Sequence, residues 1–456
     1  MLGQTVDEAH YVLYGKNLAL SYFDHPPLVG WVQWLFQYIP VSELLQARLP
    51  AVLISLLTSH LIYNYLTNKN VSQKNTIFAV IALNLTPMYN TMSVALLPDT
   101  LMMPLIVLIV QYTEKILVSS TAKNWITLGL LLGLAGLSKY TAIIFVPALV
   151  LVFIFKNKWR EIFNPSLWLG ALVSVTLVSP VLIWNLQNDF ASFKYQTAHV
   201  STLDSNVFQN IIQSIGVQAV SWGIAPFFIV LALNAIWIWN FKKLQTRLVS
   251  TVFMTVLFMF FAYVAISEVL LPHWMLIYFV MGIPLAVSHL LEKKVWHKLL
   301  ITSFALSAIL NFSLLFESAF RVFPIQKTAA LYEGILGWDE LINDANTKLD
   351  SINSSKKALA VMNWTLGSRA LYYNHNKKDS VFVLDQRYDQ FDIWNKNSPV
   401  GYDFVVLIEQ AKKDEHLSHL NCQSLSQIGE KITIIKGVPV NHFLYYHCQQ
   451  FKNLNY

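Results

Sequence analysis

Asp7 and Glu8 form an acid pair ahead of Ser21-Tyr22-Phe23-Asp24-His25-Pro26-Pro27-Leu28, where the double proline stiffens the backbone and presents Tyr22, Asp24 and His25 in a defined direction. Asp99 follows Pro98 between two apolar runs, and Lys139 lies in Leu137-Ser138-Lys139-Tyr140-Thr141. Ionisable groups at membrane depth are costly and are functional candidates by default. Two acids, a histidine, a tyrosine and a lysine suit a reaction on a lipid phosphate. A carboxylate can act as general base toward an acceptor hydroxyl, and cations can stabilise the phosphate that leaves. That chemistry requires neither a metal nor a cofactor. Taken alone, Asp7-Glu8 reads more simply as a solvated pair of loop acids.

These residues sit in a chain of 456 residues that is 55% apolar and 13% charged, against about 25% charged in an ordinary soluble protein. The mean hydropathy of +0.46 points to lipid as solvent. Half of the charged side chains fall after residue 320, in under a third of the chain. The net charge of +6 is spread in small basic clusters between apolar runs rather than along one face, which excludes a nucleic-acid partner and reads as topology. No GxGxxG, P-loop, CxxC or HExxH is present, so dinucleotide, nucleotide-triphosphate and zinc-hydrolase chemistries lack their cradles or ligands.

Ten apolar runs are candidate spans: 44–66, 76–96, 100–118, 125–138, 141–155, 166–186, 211–240, 248–267, 272–291 and 299–320. Lys69 and Lys74, Lys115 and Lys123, Lys156 to Arg160, Lys242 to Arg247 and Lys293 to Lys298 all fall on one side, which the positive-inside bias makes the cytoplasm. That alternation requires two short segments over 125–155, with Lys139 at an extracytoplasmic turn. The opposite face collects Asp7, Glu8, Asp24, His25, Asp99, Lys139, Asp189, Lys194, His199, Glu268 and His273. Pro27 to Tyr38 is expected to lie along the interface through Trp31 and Trp34. The predicted organisation is a first extracytoplasmic loop over 1–43, a transmembrane domain over 44–320 and an extracytoplasmic α/β domain over 321–456.

In the last domain, strands are expected at 358–362, 380–384, 404–408 and 432–435, with helices over 364–373 and 328–349. Cys422 and Cys448, the two cysteines, are equally readable as a disulfide and as buried thiols.

The segment DEAHYVLYGKNLALSYFDHPPLVGW, with RLP at 48–50, LLPDTLMMPL at 96–105, GLSKYTAIIFVPAL at 136–149, SPVLIWNLQNDFASFKYQ at 179–196 and LPHW at 271–274, resembles the multispan polyprenyl-phosphate-sugar glycosyltransferases of the GT-C superfamily. These include the protein O-mannosyltransferases and the bacterial aminoarabinose transferase of lipid A. The resemblance implies a polytopic helical membrane protein of the bacterial inner membrane with a C-terminal periplasmic α/β domain. It further implies a polyprenyl-phosphate-linked sugar as donor and a lipid or protein as acceptor. It makes Asp7 the catalytic acid of the first loop and Glu8 its support, and places Asp99 beside the sugar. Tyr22, His25 and Lys139 face the lipid phosphate. His25 stands where the lipid A enzyme has a lysine, so its charge would depend on pH. A transmembrane helix expected before Asp7 is missing from the sequence, which leaves a truncated, inactive remnant as one alternative. A transporter or lipid flippase is another. His273-Trp274 reads either as lining the donor cavity or, more simply, as an interfacial anchor, and Arg48 either as touching the lipid phosphate or as snorkelling to head groups.

Overall fold

The computed structural model describes residues 3–201, 206–240, 247–323, 332, 334–374 and 381–455, excluding the side chains of 198–201 and 318. The chain divides into two units: Leu18–Leu314, which is helical, and Met1–Asn17 with Leu315–Tyr456, which is mixed α/β. The side chain of His199, and Lys242 and Lys243 of the basic clusters, lie outside the described residues. The first helix, α1 (Val6–Lys16), belongs to the α/β unit.

The helical unit opens with the short α2 (Leu28–Phe36), in which Trp34 and Leu35 are exposed, as is Tyr38 just after it. There follow α3 (Glu43–Asn68), α4 (Gln73–Asn84), α5 (Pro87–Met92), α6 (Pro98–Val118) and α7 (Ala122–Ser138). A 3₁₀ turn over Tyr140–Ile144 leads to α8 (Phe145–Phe155), then α9 (Pro165–Gln187) and α10 (Ala191–Ser201). The unit continues with α11 (Val207–Trp222), α12 (Ile224–Trp239), α13 (Leu248–Ser267) and α14 (Leu276–Leu290), and α15 (His297–Phe320) runs out of it. Among the described residues α3, α6, α9, α13 and the stretch Lys294–Glu317 are long and apolar enough to cross a membrane.

Helix α14 is apolar on all sides and buried on nearly all of them, packing against α4, α6 and α12. Helix α9 is the opposite case: its Leu172 and Val175 are about 60% exposed, and it is held chiefly by α7. That contact is a close one because Gly129 and Gly133 of α7, four residues apart, let the backbones approach. A Cβ on Gly129 would collide with the carbonyl of Gly170 on α9.

Two expected spans differ in detail. The run 211–240 is two helices, α11 and α12, that meet at 111° around Gly223, whose φ of +86° suits glycine alone. The run 76–96 is divided between α4 and α5 at Thr86-Pro87, because the residue before a proline is driven out of the helical region. The chain does break between 138 and 140, where Lys139 is extended.

The α/β unit carries a five-stranded sheet in the order β2-β1-β3-β5-β4. Its strands are β1 (Lys357–Val361), β2 (Val381–Val383), β3 (Asp403–Glu409), β4 (Leu420–Ile435) and β5 (Val438–Leu454). The first three are parallel to one another, and β5 is antiparallel to β3 and β4. Helices α16 (Trp338–Ser351), α17 (Trp364–Tyr373), α18 (Gln390–Trp394) and α19 (Lys413–His419) complete the unit. Of the helix expected over 328–349, α16 begins at Trp338, after Gly337 in a left-handed conformation, while 328–331 and 333 lie outside the described residues. Strand β5 was not among the expected strands. Cys422 and Cys448 are joined in a disulfide across the β4–β5 hairpin, with Cα atoms 5.5 Å apart.

Helix α1 packs against α17. His10 Nδ1 lies 2.9 Å from Ser368 Oγ, its Nε2 lies 3.1 Å from the Tyr14 hydroxyl, and Trp364 and Trp394 wall its ring. Ala9 enters the same core as Leu341, Leu359 and Tyr445.

Candidate functional site

Asp99 is the second residue of α6 and Lys139 the residue that ends α7. Their elements are stitched together by Ser138, whose hydroxyl donates to the Pro98 carbonyl at 2.7 Å. Leaving the helix in an extended conformation turns Lys139 toward α6. Its ammonium donates to both oxygens of Asp99, at 2.7 and 2.8 Å. The pair is almost enclosed, the two side chains being 12% and 7% exposed. From the loop between α13 and α14, His273 brings Nε2 to 3.8 Å from the same carboxylate, and His25 lies within its electrostatic reach. One carboxylate thus holds a lysine and faces two imidazoles, with Asp24 4.0 Å from His25 Nε2, so each ring that protonates adds positive charge to a site that can meet an anionic ligand.

The loop carrying His25 is a compact turn. The Tyr22 amide donates to the His25 carbonyl at 3.1 Å, and the Trp31 indole donates to the Ala19 carbonyl at 3.0 Å. Helix α10 clamps this turn from the other side: Ser192 Oγ donates to the Tyr22 carbonyl and Gln196 Nε2 to the Asp24 carbonyl, both at 2.8 Å. Ser21 Oγ and the Tyr140 hydroxyl, 3.4 Å apart, tie the turn to the residue after Lys139. Tyr22 itself is fully buried, and burial raises the pKa of its phenol, so it remains a neutral donor at all ordinary pH. Here its hydroxyl is part of the loop's interior. Asn185, at the end of α9, is also fully buried and shapes the turn into α10, its carbonyl accepting the Phe190 amide at 2.7 Å.

Asp7 and Glu8 are carried by α1 in the α/β unit. Glu8 closes a capping box: its carboxylate accepts the Thr5 amide at 3.0 Å, while the Glu8 amide donates to the Thr5 hydroxyl at 3.3 Å. Asp7 stands beside it in the first turn, half-buried. The helical unit therefore brings together Asp99, Lys139 and His273 with the His25 loop around them. His273, readable either as lining the donor cavity or as part of an interfacial anchor with Trp274, stands beside the Asp99 carboxylate. Among the described residues no group of three or more His, Cys, Asp or Glu side chains could hold a metal ion.

Residues 24–184 match the family described as dolichyl-phosphate-mannose-protein mannosyltransferase. The chain also superposes on the crystal structure of ArnT from Cupriavidus metallidurans bound to undecaprenyl phosphate, with a TM-score of 0.63, at 13% identity, over 98% of this chain and 94% of that one. The chain shares the fold of that ArnT structure. No curated protein matches it in sequence. The matched segment holds His25, Asp99 and Lys139, and the fold likeness extends across both units.

Proposed function

We propose that this chain is an inverting glycosyltransferase that moves a sugar from an undecaprenyl-phosphate carrier to a lipid or protein acceptor on the extracytoplasmic face of the bacterial inner membrane. The observation that carries this reading is the enclosed Asp99–Lys139 pair with His273 and His25 beside it. An acceptor hydroxyl attacks the anomeric carbon, the bond from that carbon to the phosphate oxygen breaks, and the phosphate leaves with the electron pair. Lys139 and His25 stabilise the phosphate, Asp99 orients Lys139 and the sugar, and Tyr22 holds the turn that presents His25. Asp7 takes the acceptor's proton, and Glu8 fixes the helix turn from which Asp7 projects. No metal or cofactor enters this scheme. The Cys422–Cys448 bond supports an oxidising compartment for the α/β unit.

The test is release of undecaprenyl phosphate from a panel of undecaprenyl-phosphate sugars by the purified protein in lipid. Turnover with at least one sugar is expected, lost on Asp7→Asn with the protein still folded. Binding of every lipid without release of carrier from any would overturn the assignment. A transporter would need a broken helix lined by charge at mid-membrane. The bend between α11 and α12 is such a break, but Trp222, Gly223, Ile224 and Pro226 carry no charge to it.

A further inference from the structure

The α/β unit contains a cavity of about 370 Å³ to which the transfer reaction assigns no role. Its size falls within the range of small-molecule sites, about 300–1,000 Å³. Three helices end at its wall, each with an asparagine as the residue that closes it: Asn17 after α1, Asn374 after α17 and Asn395 after α18. Two of those amides direct their N–H groups to the backbone. Asn17 Nδ2 donates to the Leu13 carbonyl and Asn395 Nδ2 to the Val381 carbonyl, each at 3.1 Å, which leaves the Oδ1 atoms as acceptors. The last carbonyls of a helix add further acceptors. An acceptor-rich wall calls for a ligand that donates many hydrogen bonds.

The opposite character is supplied by rings. Phe391 and Trp394 meet edge to face with centroids 5.3 Å apart, and Tyr372 stands beneath the Lys16 ammonium at 5.2 Å. Phe391 and Tyr372 are buried, so the partly exposed Trp394 supplies the face that takes the C–H side of a pyranose. The charge balance then selects among hydroxyl-rich ligands. The C-termini of α1 and α17 each carry about −0.5 of a charge, and Lys16 and Lys396 on the same wall oppose them. None of the described lining residues is acidic. A ligand of either sign meets opposing groups, whereas a neutral polyol meets donors and acceptors together.

We propose that this cavity is a binding site for a neutral saccharide ring, separate from the Asp99–Lys139 cluster and independent of whether that cluster transfers sugar. The test uses the full chain in lipid nanodiscs, free of glycoside detergent, with the methyl glycosides of glucose, galactose, mannose and N-acetylglucosamine as probes. Saturation-transfer NMR and tryptophan fluorescence should show saturable binding of at least one. Glucuronic acid and galactosamine, one anionic and one cationic, should bind at least tenfold more weakly. Asn397→Trp, which fills the exposed rim, and Trp394→Ala, which removes the platform, should each weaken binding at least tenfold. The rim substitution decides the matter if loss of Trp394 disturbs the fold. Absence of binding by every neutral glycoside, a preference for either charged sugar, or affinity unchanged by Asn397→Trp would overturn the proposal.

Discussion

Lys139 and Asp99 illustrate how one contact serves both fold and chemistry, and the two can be separated. Removing the lysine with Lys139→Met leaves the enclosed carboxylate with only His273 and His25 to offset it, a loss expected to cost up to about 3–5 kcal/mol. Adding Asp99→Asn should restore most of that thermal stability while carrier release stays absent. If the double variant regained turnover, the pair would be structural only. At the other end of the chain, burial followed by the neighbouring charges of Asp389 and Asp392 raises Asp385 to about 7, and burial raises Asp389 to about 6. A carboxyl with a raised folded-state pKa binds its proton more tightly folded than unfolded. Its stabilising contribution is therefore complete below the unfolded value near 4 and is lost as the pH climbs through about 7. Asp385→Asn should leave melting unchanged at pH 4 and stabilise the unit at pH 8 by about 1 kcal/mol, allowing for solvent screening at a half-buried site. Melting curves at the two pH values check it. Asp99 and Lys139 were legible in the sequence because a charge set between apolar runs is too costly to keep without a use. Glu8 was legible in a different sense: Thr5-x-x-Glu8 is a capping-box pattern, and the structure uses it as one. The burial of Tyr22 was not legible, since an aromatic in a stiff turn points in or out according to what packs over it, here α10.

At the scale of elements, α7 and α9 show how little holds a lipid-facing helix. Without a hydrophobic drive between helices in lipid, close backbone approach supplies the contact. Gly129→Leu should force α9 away from Gly170 and reduce the yield of folded protein. Gly216→Leu, where an added Cβ meets nothing within 4 Å, should not, and size-exclusion profiles of the two variants compare them. The break at Lys139 could be inferred from the alternation of basic loops, which is a global constraint acting on a local ambiguity. The bend at Gly223 could not, because an apolar run has the same composition whether it is straight or folded back. Strand β5 was hidden for a related reason. Its residues face core, partner strand and solvent in an irregular burial pattern with a register shift opposite it, so no period of two survives in Val438–Leu454.

At the scale of the molecule, the α/β unit is discontinuous in sequence. Helix α1 supplies Ala9 to its core and His10 to a socket of Trp364, Trp394 and Ser368, and the Gln4 amide donates to the Tyr373 hydroxyl at 3.0 Å. Such pairings, more than 350 residues apart, leave no local pattern to read. Residues 315–456 expressed alone should therefore expose an apolar groove and aggregate. The same segment with residues 3–17 joined through a flexible linker should give a dispersed amide NMR spectrum. Equal dispersion from both would mean that α1 is an accessory.

The division also sets a schedule for biogenesis. At about 5–20 residues per second, roughly 15–60 s of synthesis separate the emergence of α1 from that of its first partner. Throughout that interval the helix, with its buried rings still uncovered, must be kept from premature pairing while the whole helical unit is threaded into lipid. The last strand made is the one beside the middle of the sheet, so the α/β unit closes only when translation is nearly over. A ribosome stalled anywhere before Val438 would thus release a chain already committed to the bilayer yet lacking a finished head, a natural substrate for quality-control proteolysis.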